Sequence, residues 1–188
     1  MEDSVNRWFV EQRTTTLDSV SRAGSDLGAT LTIIGIAVVA GIVLAIGRHW
    51  RELGFLVAAL ILEASVSLTS SLVVNRSRPN VRRLDAAPPT SSFPSGHTAA
   101  AIVLFVSLAI VITSYVRSTT VRILVWIVAA AIPIYVGISR LYRGMHHPTD
   151  EVGSAVIAAG ALLFALLACR TAGAVLHDRT TKMERAAP

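Results

Sequence analysis

The sequence has little charge for its length, a single cysteine and a single lysine. Charged residues make up 15% of the 188 positions, compared with about 25% in soluble domains. Apolar residues make up 53%, which excludes an ordinary soluble protein of this size. Because only Cys169 is present, an intramolecular disulfide is excluded. The first 28 residues have no apolar core of the signal-peptide type, so we expect no cleaved signal.

The basic residues suggest a membrane rather than a nucleic acid as the partner. All but one of them are arginine, the exception being Lys182, and the formal net charge is +5. They flank the apolar runs instead of forming a separate basic domain. Anionic lipid head groups are therefore the expected partners, and no nucleic acid is expected.

Five apolar runs are long enough to cross a bilayer as helices. They predict an all-α integral membrane protein with about five transmembrane helices and a membrane-embedded domain over residues 29–170. Before it, residues 1–28 predict an N-terminal interfacial helix anchored by Trp8 and Phe9, or else a solvated tail. A polar C-terminal tail follows over residues 171–188. The runs are 29–46, 53–75, 98–116, 123–139 and 152–169.

Two long loops lie on the same side of the membrane in this topology. They cover residues 76–97 and 140–150. Basic residues divide almost evenly between the two sides, but Arg78 and Arg140 have a functional explanation. When those two are set aside, the opposite side carries the excess and is predicted to be cytoplasmic. The loops are then predicted to face the extracytoplasmic side.

The first loop ends in Pro94-Ser95-Gly96-His97, directly before the third apolar run. A helix N-terminus has free N–H groups that suit an anion. Gly96 allows close approach of backbone to a ligand, and His97 can donate a proton near neutral pH. The alternative is an ordinary helix cap provided by Ser95.

The second loop contains Ser139-Arg140, then His146, then Asp150. Arg140 offers a planar fork for phosphate oxygens. An aspartate near an imidazole can fix its tautomer and leave the other nitrogen free to attack. A structural His–Asp pair is the alternative, and the neighbouring His147 is predicted to be non-catalytic. A metal site is disfavoured because no carboxylate cluster is present and the arginines would repel a cation.

One polar stripe lies inside the second apolar run. Glu63, Ser67, Ser71 and Asn75 recur every four residues, which places them on one helix face. An ionisable group in a membrane span is a functional candidate. A hydrogen bond between helices is an equally good explanation for Glu63.

These motifs resemble the type 2 phosphatidic acid phosphatase family, which shares its site plan with vanadium haloperoxidases. That family carries the blocks Lys-x6-Arg-Pro, Pro-Ser-Gly-His and Ser-Arg-x5-His-x3-Asp. The second and third are matched in full. The first is matched by Arg78-Pro79, with Ser71 at the lysine position.

The resemblance implies a role for each matched residue. His146 is expected to be the nucleophile that forms a phosphohistidine, oriented by Asp150. His97 is expected to protonate the leaving oxygen and then activate water. Phosphate oxygens would be held without metal or other cofactor by Arg78, Arg140 and the backbone of Ser95 and Gly96. Arg76 is the nearest cation that could replace the missing lysine.

The expected function is therefore that of a multi-pass cell-membrane enzyme, a metal-independent lipid phosphate or diphosphate phosphatase. The sequence favours a polyprenyl (undecaprenyl-type) diphosphate recycled for cell-wall synthesis. A glycerophospholipid phosphatase acting on phosphatidate or phosphatidylglycerol phosphate is the alternative. A weakly active or non-catalytic lipid-phosphate-binding protein is a further alternative, because Ser71 replaces the lysine. A soluble haloperoxidase is excluded by the apolar spans.

Overall fold

The structure, a computed structural model, describes residues 2–86 and 90–186; of residues 173–186 it describes the helix but not the side chains. All regular structure in these ranges is α-helical, as predicted. The seven helices are α1 (Glu2–Glu11), α2 (Thr15–Leu27), α3 (Thr30–Ile46), α4 (Trp50–Val74), α5 (Gly96–Tyr115), α6 (Thr119–Tyr142) and α7 (Pro148–Ala186).

Four of these helices are long and apolar enough to cross a membrane on their own. They are α4, α5, α6 and the part of α7 up to Ala172. The helices α2 and α3 meet at a bend of 47° and pass the same test only as a pair, which raises the number of spans to five. The prediction of about five spans is confirmed. The fourth predicted span is longer than expected, because α6 begins at Thr119 and continues through Pro133 to Tyr142.

The central helix of the bundle is α5, which packs against α4, α6 and α7. Small and branched side chains allow this close packing, with Ala99, Ala101, Val103 and Leu104 fully buried. The outward faces of the surrounding helices carry exposed apolar side chains, as expected for contact with lipid. Examples are Leu31, Val73, Ile134 and Phe164.

The N-terminal segment is two helices rather than the one interfacial helix predicted. The helix α2 packs along α6, and the Tyr142 hydroxyl donates to Oδ1 of Asp18 at 2.8 Å. In α1 the fully buried side-chain amide of Asn6 donates to the carbonyl oxygen of His146 at 3.0 Å. The segment therefore covers the second loop, and the alternative of a solvated tail is wrong. At the other terminus, the residues predicted as a polar tail continue α7 to Ala186.

The two long loops meet at one end of the bundle, as the predicted topology requires. The N–H of Leu84 donates to the carbonyl of Arg143 at 3.1 Å, which joins the α4–α5 loop to the α6–α7 loop. Within the first loop, the N–H of Ser92 donates to the carbonyl of Arg76 at 2.8 Å. These bonds place the motif residues of both loops around a common space.

Candidate active site

A cavity of about 640 Å³ lies at this end of the bundle, between the two loops and the ends of α2, α4, α5 and α6. It brings together most of the residues predicted from the motifs. Those that line it are Ser71, Arg78, Gly96, His97, Arg140 and His146. The polar character of the wall and the basic side chains suit an anionic ligand.

Arg78 and Arg140 are the basic side chains of this cavity. The buried Arg140 donates through Nη1 to Oγ of Ser25 at 2.7 Å and to Oδ2 of Asp85 at 3.1 Å. Arg78 donates through Nη1 to the carbonyl of Met145 at 2.9 Å. The Nε atoms of both arginines are buried without a hydrogen-bond partner among the described residues. Two guanidinium side chains that line one cavity suit a bound phosphate, whose oxygens accept charge-assisted hydrogen bonds.

Asp85 links the arginines of the site to one another. It accepts from Arg140 and, at 2.7 Å, from Nε of Arg143. Burial acts to raise the pKa of this carboxyl, but the hydrogen bond from Arg143 and the charges of both arginines hold the pKa below its ordinary value. Asp85 is therefore an anion that neutralises part of the basic charge. Sequence reasoning missed it, although it is the only acidic residue between Arg76 and His97.

His146 is held in one tautomer by the backbone. Its Nδ1 lies 2.6 Å from the carbonyl oxygen of Ser92. A carbonyl oxygen can only accept, so Nδ1 carries the proton and Nε2 keeps its lone pair. Burial, together with the positive charge of Arg140, lowers the pKa of His146 to about 3. The ring is therefore neutral at physiological pH, as a nitrogen nucleophile must be.

Asp150 does not orient His146 directly, which corrects the prediction. Its Oδ2 lies 3.9 Å from Nδ1 of His146, beyond hydrogen-bond distance. This fully buried carboxylate instead accepts from the Ser92 hydroxyl, from the N–H of His147 at 2.8 Å and from Nη1 of Arg76 at 2.7 Å. Asp150 therefore holds Ser92, and the carbonyl of Ser92 holds His146.

The Pro-Ser-Gly-His motif forms the start of α5, as predicted, but its residues divide into two groups. His97 and Gly96 line the cavity, and the space beside Gly96 is open where a Cβ would be. Ser95 is fully buried and does not line the cavity, contrary to expectation. Its N–H donates to Oγ of Ser154 at 2.8 Å, and its hydroxyl to Oγ1 of Thr98 at 3.1 Å. Ser95 therefore fixes α5 against α7.

The prediction that Arg76 replaces the missing lysine is wrong in this structure. Its guanidinium donates to Asp150, to Thr149 at 2.6 Å and to Glu2, and it does not line the cavity. Ser71, which stands at the lysine position of the first motif block, does line the cavity. Arg78 and Arg140 are thus the two cations in contact with the cavity.

The residues that sequence reasoning missed are those that hydrogen-bond to the motif residues and hold them in place. Ser92 and Asp85 bind the side chains of His146 and Arg140. Ser154 and Asn6 bind the backbone of Ser95 and His146. The contact of Ser92 with His146 is made by a backbone carbonyl, so no side-chain signal could have identified it. Among the described residues, no group of three or more His, Cys, Asp and Glu side chains is arranged to hold a metal.

Comparisons with known proteins agree with this site. Residues 52–173 match the PAP2 superfamily. The chain is 35% identical over 119 residues to the bacitracin transport permease protein BcrC of Bacillus licheniformis, covering 63% of this chain and 51% of that protein. It is 36% identical over 77 residues to phosphatidylglycerophosphatase B of Bacillus subtilis (strain 168), covering 40% and 37%. The matches therefore span about half or less of these relatives' own length.

Two solved structures share the fold. A transmembrane PAP2-type phosphatidylglycerolphosphate phosphatase from Bacillus subtilis superposes with a TM-score of 0.79 at 25% identity, covering 88% of this chain and 81% of that one. LpxE of Aquifex aeolicus superposes with a TM-score of 0.68 at 23% identity, covering 87% and 93%, and supports the fold alone. The family match spans more than half of the chain and contains His97, His146, Arg78, Arg140 and Asp150. The chain therefore belongs to the PAP2 superfamily.

Proposed function

We propose that this protein hydrolyses the phosphate of a membrane lipid through a phosphohistidine on His146. The observation that carries the proposal is the environment of His146. Its Nδ1 proton is held by the carbonyl of Ser92 at 2.6 Å, which leaves Nε2 as a nucleophile. The side chains of Arg78 and Arg140 line the same cavity.

In the first step, Nε2 of His146 attacks phosphorus while the bond to the lipid oxygen breaks. Arg78, Arg140 and the first N–H groups of α5 stabilise the charge on the equatorial oxygens. His97, on the same cavity wall, donates a proton to the departing lipid oxygen. The products of this step are the lipid alcohol and phosphohistidine.

In the second step, water attacks the phosphohistidine and restores the enzyme. His97, now without its proton, accepts one from the water as the P–N bond breaks. Inorganic phosphate leaves the cavity, and His97 is again protonated for the next turnover. Each histidine ends the cycle in the state in which it began.

Two lipid classes remain candidates for the substrate. The sequence favours a polyprenyl diphosphate, and a cavity of about 640 Å³ has room for more than one phosphate group. A glycerophospholipid is supported by the similarity to proteins named for phosphatidylglycerol phosphate. Both classes would place the phosphate in the cavity and the lipid chain among the apolar helices.

We place the site on the extracytoplasmic face of the cell membrane. Basic residues near the site are largely engaged in the fold, since Arg76 and Arg143 pair with carboxylates and Arg13 donates to backbone carbonyls. Setting such engaged residues aside leaves the positive excess on the opposite side, which favours the cytoplasm there.

Release of inorganic phosphate by the purified full-length protein tests the function. We expect phosphate release from phosphatidate, phosphatidylglycerol phosphate or a polyprenyl diphosphate. His146→Ala should abolish it and His97→Ala should reduce it by roughly 10²–10⁴-fold. His49→Ala is the matched control, because His49 lies at the other end of the bundle against Tyr115. Unchanged activity in His146→Ala would overturn the mechanism, and binding of these lipids without turnover would identify a non-catalytic lipid-phosphate binder.

A further inference from the structure

A second cavity, of about 380 Å³, continues from the phosphate cavity into the bundle between α3, α4 and α5. We call it the tail groove. The two cavities share four wall residues, Thr30, Ser67, Gly96 and His97. Below these the groove is lined by apolar side chains such as Ile33 and Leu60, with one exception. Because the groove begins at His97, it can accept the next atoms of a lipid whose phosphate lies beside His97.

The exception is Glu63, which lines the groove and is almost fully buried, at 3% exposure. Its Oε1 accepts from the hydroxyl of Ser67 at 2.7 Å. That is the only hydrogen bond to the carboxyl group of Glu63 within the described part of the chain, and no basic residue pairs with this carboxyl group there. A carboxyl group in a membrane span without a charge partner is costly and indicates a function.

The pair of Glu63 and Ser67 lies close to the reacting phosphate. Ser67 is in the wall of both cavities. Glu63 lies one helical turn before Ser67 in α4, about 6 Å further from the phosphate cavity along the helix axis at 1.5 Å per residue. A group at that depth is a few bonds beyond the phosphate ester oxygen. In a polyprenyl chain those atoms are hydrocarbon. In a diacylglycerol backbone they include the ester carbonyls.

We propose that Glu63 and Ser67 form a hydrogen-bonding subsite for the ester linkage of a diacylglycerol phosphate. In its acid form the carboxyl of Glu63 donates to an ester carbonyl through one oxygen, while the other accepts from Ser67. A hydrocarbon chain at the same place leaves this buried group without a ligand partner. Sites built to hydrogen-bond a substrate reject analogues that lack the partner. The inference rests on the proposed function and selects the glycerophospholipid among its two candidate classes.

The test compares two monophosphate lipids that differ only in the carbonyl groups. They are a diacyl phosphatidate and its dialkyl ether analogue of equal chain length, with a prenyl monophosphate as a third substrate. The variants are Glu63→Leu, which removes the hydrogen bond, and Glu63→Gln, whose amide can still donate. Ser107→Ala is the matched control, since Ser107 is a buried polar residue of α5 that does not line the groove. Thermal unfolding of each variant checks that it is folded.

We expect the wild-type protein and Ser107→Ala to prefer the diacyl lipid over the ether analogue by roughly tenfold or more in kcat/KM, the scale of one buried hydrogen bond. In Glu63→Leu this preference should vanish through a higher KM for the diacyl lipid, with kcat little changed. Glu63→Gln should retain most of it. Equal use of the diacyl and ether lipids by the wild-type protein, or an unchanged preference in Glu63→Leu, would overturn the subsite. If none of the three lipids loses phosphate, and neither phosphatidylglycerol phosphate nor a polyprenyl diphosphate does so, the proposed function itself fails.

Discussion

The carbonyl oxygen of Ser92 accepts the Nδ1 proton of His146 at 2.6 Å, so a backbone group sets the tautomer of the proposed nucleophile. The Ser92 hydroxyl in turn donates to Asp150. Asp150 thus acts on His146 through Ser92 rather than by direct contact. This arrangement differs from a direct His–Asp pair in ways that mutations can distinguish.

The first prediction is that Asp150→Asn and Ser92→Ala weaken the same step. Each should lower kcat by roughly 10–100-fold, the usual effect of removing a group that orients a reactive residue. The double variant should be no worse than the poorer single variant, because both break one chain of contacts. A double-mutant cycle on kcat measures this. Wild-type activity in Ser92→Ala combined with severe loss in Asp150→Asn would mean that Asp150 acts on His146 directly.

The second prediction concerns acid stability. In the native protein the pKa of His146 is about 3, so the ring is neutral above that pH. In the unfolded chain the ring takes up a proton near the ordinary pKa of 6.5. Between these values the unfolded state binds more protons, so the free energy of unfolding falls as the pH is lowered. The slope from this one group is at most about 1.4 kcal/mol per pH unit.

Thermal unfolding at about pH 7.5 and pH 5 checks this prediction. The wild-type Tm should fall more on acidification than the Tm of His146→Asn, which has no such proton to gain. His49→Asn should behave like the wild-type protein, since it leaves His146 in place. An equal fall of Tm in the wild-type protein and in His146→Asn would contradict the assignment.

The third prediction is that Ser71→Lys increases activity. Ser71 lines the cavity, so a lysine there adds a third cation where phosphate binds. A charged donor at the transition state is worth about 2–4 kcal/mol in other enzymes, so kcat/KM should rise by tenfold or more. Arg76→Ala should instead lower kcat, because Arg76 holds Asp150. Steady-state kinetics of both variants test this prediction. Arg83→Ala is the control and should change kcat/KM little. An unchanged or lower rate in Ser71→Lys would show that the hydroxyl is the better group here.

The fourth prediction is that chelation leaves phosphate release intact and that vanadate inhibits it. The cavity presents guanidinium groups and helix N–H groups to the phosphate, and vanadate resembles the five-coordinate transition state. Arg140→Lys should weaken inhibition by vanadate, because an ammonium group lacks the planar fork. The inhibition constant measured with EDTA present tests both points. Loss of activity in EDTA that Mg²⁺ restores would count against the mechanism.

The motifs predicted which residues would come together, because they combine side chains of fixed spacing at helix ends. Arg78, Gly96, His97, Arg140 and His146 all line one cavity, as the resemblance implied. The apolar runs likewise predicted the spans, since a bilayer requires long uncharged helices. These features depend on local sequence, so one chain was enough to find them.

The supporting contacts could not be predicted because they depend on tertiary structure. Any residue can offer the carbonyl that Ser92 presents to His146, so composition contains no signal for it. Arg76 and Arg78 are two residues apart in an irregular loop, and the sequence could not show which one faces the cavity. The packing of α2 on α6 was missed because α2 is short and polar, with its contacts made by hydroxyl groups such as that of Tyr142.

The bond from Asn6 to the carbonyl of His146 joins residues 140 positions apart, and Thr149 reaches Glu2 across 147 positions. Contacts of such separation form only after the intervening chain has been ordered. During synthesis, α1 is made well before the α6–α7 loop, whose His146 carbonyl accepts from Asn6. Asn6 and Glu2 can therefore make these contacts only after His146 and Thr149 have been added to the chain. Completion of the proposed site thus depends on contact between the first helix and the loop that precedes the last one.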